Sequence, residues 1–246
     1  MQLDAEPGSG NYIQSVSAEL VRINGRDFRG HVIVSAERIL ADWNPRPIDE
    51  MQVEDFQAAL DLDPANAEAL RSRAVTLHGR GRSADALRDL ARALTTRPDD
   101  VLTLRVRGTV YAESGEVARA IEDFSKVLDQ FPADVVAREG RGLALASIGD
   151  HSRAIQDFTR VLQREPRARV ARAARAFSLF RTRQYQRAIT DWDLLLKDDS
   201  SQLAVVYCRG AAKVLSGDES GRADMDRVRQ ERPAVATAQA AACPAP

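Results

Sequence analysis

The chain carries four prolines at a constant interval: Pro64, Pro98, Pro132 and Pro166 lie 34 residues apart. A fifth, Pro233, stands 67 residues further on, one short of two more intervals. A fixed period of this length means a repeat array, whose units are each too small to bury their own apolar face and must stack on a neighbour. Arrays present extended surfaces to partners, so the period directs attention to binding before chemistry.

Setting the chain out on this period exposes the rest of the unit. Glycine recurs at Gly81, Gly115, Gly149 and Gly217, and a small residue follows at Ala86, Ala120, Ala154, Ala188 and Gly221. An Asp with a large apolar neighbour comes next: Asp89-Leu90, Asp123-Phe124, Asp157-Phe158, Asp191-Trp192 and Asp224-Met225. Upstream, Arg precedes a small residue at Arg73-Ala74, Arg107-Gly108, Arg141-Gly142, Arg175-Ala176 and Arg209-Gly210. Each unit holds two apolar-periodic stretches at helix spacing, such as Leu104, Val106, Val110 and Tyr111, then Ala120, Ile121, Phe124 and Val127. Glycine can take the left-handed conformation that ends the first helix, and proline beyond the second cannot continue it.

This pattern resembles the tetratricopeptide repeat (TPR) family: a small residue early in the first helix, alanine and then an aromatic in the second, and a terminal proline. The resemblance covers residues 67–233 as five repeats and implies an all-α, right-handed superhelix. A degenerate repeat over 35–66 precedes them, on the fit of Asp55-Phe56, Ala59 and Pro64. The expected helix pairs are 35–43 with 48–62, 68–80 with 84–96, 102–114 with 118–130, 136–148 with 152–164, 170–182 with 186–198, and 203–216 with 219–231. Three departures stand out. The family's early aromatic is Leu70, Leu104, Arg138, Arg172 and Val206 here; the fourth repeat has Arg183 and Ser200 where turn glycine and final proline are expected; the fifth is one residue short. Because each full repeat carries both Arg and Asp, a ladder of forked pairs is expected within repeats: Arg73/Asp89, Arg107/Asp123, Arg141/Asp157, Arg175/Asp191 and Arg209/Asp224. The alternative joins each Asp to the Arg of the next repeat, as Asp55 to Arg73.

The ends read differently. Residues 1–34 form an N-terminal extension in which Asn24-Gly25, between two partly alternating apolar runs, signals a β-hairpin; a helix over 12–23 is the alternative. Residues 234–246 read as an Ala/Pro-rich tail, with a short capping helix over 234–242. The two cysteines, Cys208 and Cys243, imply no disulfide framework, Cys208 lying in a helix and Cys243 in the tail. The 246 residues carry a net charge of −1, which exerts no overall pull on nucleic acid. The N-terminus lacks a basic-then-apolar leader pattern and the chain has no long apolar run, so no membrane span and a cytoplasmic setting are expected.

The three histidines, His31, His78 and His151, fall in different units, and no zinc, phosphate-loop or nucleophile-elbow motif occurs. No catalysis, metal or cofactor is therefore expected. In the family, the first helices line the concave groove. Here the early repeats offer Glu68, Arg71, Ser72, His78, Arg105 and Thr109, and the later ones offer Val136, Leu143, Ala173, Phe177, Phe180, Tyr207, Ala211 and Val214. The carboxylate clamp of some family members would fall on Arg71, Val75, Val106, Val136 and Gly140, of which only the first is suitable. The implied function is a protein-interaction scaffold that binds a peptide or helical segment. Leu143, Phe177, Phe180 and Tyr207 would be apolar anchors, with Arg169 and Arg172 supplying charge at one edge. The competing reading of Phe177 and Phe180 is packing between helices. Between Arg160 and Arg187 stand nine arginines and one acid, Glu165; RNA or an acidic ligand on repeat four is thus an alternative, as is a regulatory or targeting arm of a larger enzyme.

Overall fold

The computed structural model describes the strands within residues 13–40 and residues 53–245, apart from the side chains of Asp55, Ala58, Ala59 and Leu62. The chain divides into two compact units, Met1–Val110 and Tyr111–Pro246.

In the first unit, β1 (Ile13–Val16), β2 (Leu20–Ile23) and β3 (Arg26–Arg29) form an antiparallel sheet in that order. Ile23 stands opposite Arg26, the register of the expected hairpin, although Asn24 and Gly25 themselves lie outside the described residues. The alternative helix over 12–23 is overturned, since 13–16 and 20–23 are paired strands. The helix expected over 35–43 also needs correction. Ile39–Leu40 forms β5, paired with Ile33–Val34 as β4, because β-branched residues suit a pleated, paired surface. The rest of 35–43, and residues 48–52, lie outside the described residues.

From Val53 to Ala242 the described elements are all helices. The first unit continues with α1 (Val53–Leu62), α2 (Ala67–Gly79), α3 (Ser83–Thr96) and the larger part of α4 (Val101–Glu113). The Asn66 side chain accepts the Ala69 N–H at 2.9 Å and so starts α2. Its core joins Ala74 and Leu77 of α2 to Ala86 and Leu90 of α3, with Val110 of α4.

The second unit holds α5 (Val117–Gln130), α6 (Val135–Ser147), α7 (His151–Arg164), α8 (Arg169–Arg181), α9 (Tyr185–Asp198), α10 (Leu203–Leu215), α11 (Gly221–Glu231) and α12 (Pro233–Ala242). The helices of the five repeats begin and end within two residues of expectation. Second helices bury one stripe, as in α7, where Ala154, Ile155, Phe158, Val161 and Leu162 are inward at helical spacing. Small residues permit close helix approach: a Cβ on Gly210 of α10 would stand 2.6 Å from the Gly221 carbonyl oxygen of α11.

The charge ladder forms within repeats. Arg73 forks onto Asp89 at 2.7 and 2.7 Å, Arg141 onto Asp157 at 2.8 and 2.9 Å, Arg175 onto Asp191 at 2.8 and 2.7 Å, and Arg209 onto Asp224 at 2.9 and 2.9 Å. Arg107 and Asp123 lie in different units. The remaining guanidinium nitrogen reaches back 16 residues to the preceding repeat: Arg73 to Gln57, Arg141 to Ser125, Arg175 to Thr159 and Arg209 to Asp193. Those four acceptors again share the 34-residue frame. The hydrogen bond to Asp89 raises the affinity of Arg73 for its proton, and that to Asp157 does the same for Arg141.

The C-terminus carries the expected capping helix, begun one residue earlier, and departs from expectation at its cysteines. Pro233 opens the helix of residues 233–242 in the first turn, where its missing N–H costs nothing. Cys243 is fully buried and forms a disulfide with Cys208 of α10. The reading of two unpaired cysteines is therefore corrected. The two are 35 residues apart, about one repeat, and that spacing places them on neighbouring elements of the array.

Candidate functional site

The first helices α6, α8 and α10 carry the residues that the resemblance assigns to the groove face. On α6, Val136 is exposed and Leu143 is 41% exposed; on α8, Val170 is exposed and Phe177 half-buried. Val136 and Val170 share one register and Leu143 and Phe177 another, so two adjacent helices show a matched apolar stripe. Phe177 is held edge-on by His151 at 6.3 Å between ring centroids, and the Arg181 guanidinium lies over its ring at 5.9 Å. Burial, then the nearby Arg181 charge, lowers the pKa of His151 and favours its neutral form.

Phe180 and Tyr207 are placed otherwise. Phe180 is 5% exposed and meets Tyr185 and Trp192 at 5.5 and 5.9 Å, while Tyr207 is 3% exposed with Arg229 over its ring. Both belong to a core cluster that also takes in Cys208, Ala211 and Val214 of α10 and Ala236 and Cys243 at the C-terminus. Both side chains therefore pack between helices and present almost no surface. Ala211, the register equivalent of Leu143 and Phe177, is fully buried. The apolar face that is open on α6 and α8 is closed on α10.

The two edge arginines also part company. Arg169 reaches Asp198 at 3.4 Å and keeps 46% of its side chain exposed. Arg172 is only 16% exposed, lies 3.8 Å from Asp191, and donates to the Pro166 carbonyl. Arg138, one repeat earlier, pairs with Asp157 at 3.3 Å and donates to the Pro132 carbonyl. These arginines stand where the family has an aromatic and serve the same packing layer with a long stem and a satisfied head. Since Arg172 and Arg175 share Asp191, part of the positive charge of repeat four is neutralised internally.

Glu139 lies on α6 between exposed Val136 and Leu143 and is itself half-buried. Burial raises the pKa of Glu139, and Glu165 raises it further, so it holds its proton above the usual carboxylate range. Among the described residues no group of His, Cys, Asp and Glu could hold a metal ion. No helix among them is long and apolar enough to cross a membrane.

The tetratricopeptide repeat family model matches residues 53–101, 105–166 and 140–204, more than half of the chain. The chain belongs to the tetratricopeptide repeat family, and its fold is the all-α TPR array. A search of curated proteins finds no match. Among solved structures, YrrB, described as a TPR protein with an unusual peptide-binding site, is similar over 76% of this chain and 98% of its own, with 17% identity and a TM-score of 0.68. A tetratricopeptide repeat protein from Parabacteroides merdae ATCC 43184 is similar over 73% and 72%, with 23% identity and a TM-score of 0.61. MamA from Desulfovibrio magneticus RS-1 is similar over 68% and 96%, with 22% identity and a TM-score of 0.63. At these identities the likeness shows the fold. TPR folds are protein-interaction scaffolds, and that coarse function comes with the family.

Proposed function

We propose that the chain is a non-catalytic scaffold holding an extended or helical segment of a partner protein on the groove face of α6 and α8. The observation that carries this reading is the exposed stripe of Val136, Leu143 and Val170 beside half-buried Phe177. Contiguous apolar exposure rimmed by charge marks an interaction face, and aromatic anchors carry much of an interface's energy. Leu143 and Phe177 are the anchors, Val136 and Val170 extend the contact, and Arg169 supplies charge at the edge. Phe180 and Tyr207 are buried and Arg172 is paired internally, so none of the three belongs to the contact surface. The peptide-binding site named for YrrB, a protein of the same fold, agrees with this class of ligand. The internal pairing of Arg172 and Arg175 weighs against RNA on repeat four. The Cys208–Cys243 bond favours an oxidising compartment over the cytoplasm, since such bonds persist where thiols are not kept reduced.

A photo-crosslinking residue at Leu143 or Val170 should capture the partner, and one at exposed Leu194 of α9 should not. Leu143→Glu should abolish partner binding while leaving the melting temperature unchanged. Equal capture from Leu194, or full binding by Leu143→Glu, would overturn the reading.

A further inference from the structure

Four turns between paired helices use glycine with φ between +78° and +90°, at Gly81, Gly115, Gly149 and Gly217. The fourth repeat makes the same turn with Arg183 at φ +60°. The hydrogen bonding is equivalent: Arg183 N–H donates to the Phe180 carbonyl at 2.9 Å, as Gly217 N–H donates to that of Val214 at 3.0 Å. Glycine would serve this backbone without steric conflict, whereas a residue with a Cβ is disfavoured in the left-handed region. A long cationic side chain therefore stands where the fold alone calls for none. Such an outlier points to a role for its side chain.

Arg183 lines a pocket of about 350 Å³ with Phe180, Arg181, Tyr185, Leu215 and Pro244. The aromatic side is fixed, because Phe180 is wedged between Tyr185 and Trp192. The opposite wall is the C-terminal segment, held by the disulfide at Cys243. Among the described residues neither Arg181 nor Arg183 forms an ion pair, unlike the neighbouring Arg169, Arg172 and Arg175. The pocket thus joins an apolar floor to two uncompensated guanidiniums, which suit a planar carboxylate.

We propose that this pocket binds the C-terminal residue of a peptide, with the carboxylate on Arg181 and Arg183 and an apolar side chain against Tyr185, Leu215 and Pro244, above the buried ring of Phe180. The pocket lining leaves out Val136, Leu143, Val170 and Phe177; the link between it and the groove stripe is Arg181, whose guanidinium also lies over the Phe177 ring.

The test uses the full chain and heteronuclear NMR. The probes are N-acetyl-Ala-Leu and N-acetyl-Ala-Phe as free acids, the same peptides as C-terminal amides, and inorganic phosphate. The acids should move backbone signals of residues 181–185 and 241–244, and the amides should bind roughly tenfold more weakly, the loss expected for a charge-assisted hydrogen bond. Arg183→Gly should keep or raise the melting temperature, because strain is relieved, yet weaken acid binding by roughly tenfold. Arg181→Gln should weaken it similarly with the turn unchanged. Acids that do not bind, amides that bind as well, or Arg183→Gly binding like the parent would overturn the proposal. So would a lowered melting temperature in Arg183→Gly, which would make Arg183 a structural residue. Phosphate reproducing the acids' shifts at equal strength would leave a bare anion site and overturn the peptide assignment.

Discussion

Leu143 on α6 and Ala211 on α10 occupy equivalent positions two repeats apart, yet one is 41% exposed and the other fully buried. The repeat is nearly the same; the difference lies in the neighbour on its C-terminal side. Downstream of α10 come α11 and α12, and the C-terminal segment joins the cluster that covers Tyr207, Cys208, Ala211 and Val214. A repeat sequence therefore fixes which face a residue lies on. Whether that face is open depends on the neighbour the array supplies, and at its end the array supplies a capping helix.

The comparison can be broken most directly by truncation on both faces. Tyr207→Ala should cost about 3–5 kcal/mol of stability, as for a buried aromatic, while Leu143→Ala should change it by about 0.5 kcal/mol or less. Denaturant titration of each variant reads the difference, and similar losses would erase the distinction between open and closed faces. The next effect is the tether. Cys243→Ser should cost roughly 2–4 kcal/mol on the chain-entropy account of a cross-link. Hydrogen exchange should quicken in α10 to α12 and stay unchanged in α6 and α7. Uniform quickening would mean that the bond holds more than the last repeat.

A smaller effect separates the two arginines. Arg172→Ala should lose about 1–3 kcal/mol, because Asp191 and the Pro166 carbonyl lose a partner. Arg169→Ala should lie within about 0.5 kcal/mol, as for an exposed pair. Thermal melts of the two variants give the order, and a reversed order would restore Arg172 as a free edge charge. The smallest effect concerns Glu139 and has a defined sign. Its pKa is raised in the folded chain, so between its unfolded and folded pKa values the native state binds more protons. Stability attributable to Glu139 is then present at low pH and lost as pH rises through the folded pKa. Glu139→Gln should raise the melting temperature at neutral pH, with the gain fading as pH falls towards the ordinary glutamate value. A gain that grows in acid would contradict the burial argument.

Much of the fold is legible in the sequence because its determinants repeat. The period, the five helix pairs and the partners in the charge ladder come from spacing, since helix ends are set locally by glycine, proline and caps. The groove residues are legible as a face and not as a surface. Burial of Phe180 comes from Tyr185 and Trp192 of its own repeat, and that of Tyr207 from Arg229 and a C-terminal segment outside the period. Arg172 misleads for a different reason: a long stem lets it sit in an aromatic's place, and composition alone reads it as charge. The disulfide leaves a trace in the near-repeat spacing of Cys208 and Cys243, which says neighbouring elements but not bonding distance. At Ile39–Leu40, β-branched pairing with Ile33–Val34 prevails over an apparent helix start at Ser35.

In the repeats of Arg73, Arg141, Arg175 and Arg209 the ladder balances a guanidinium against a carboxylate of the same repeat. Each fork closes on an Asp in its own repeat, and only a third nitrogen looks back to the repeat before. Deleting or copying one whole unit removes or adds a guanidinium and a carboxylate together and strands neither in the interior. A joint that instead shared the forked pair across neighbours would leave an orphaned ion at every cut. The ladder thus behaves as a set of cassettes: at each junction it contributes one back-reaching contact, beside the apolar packing that stacks the repeats.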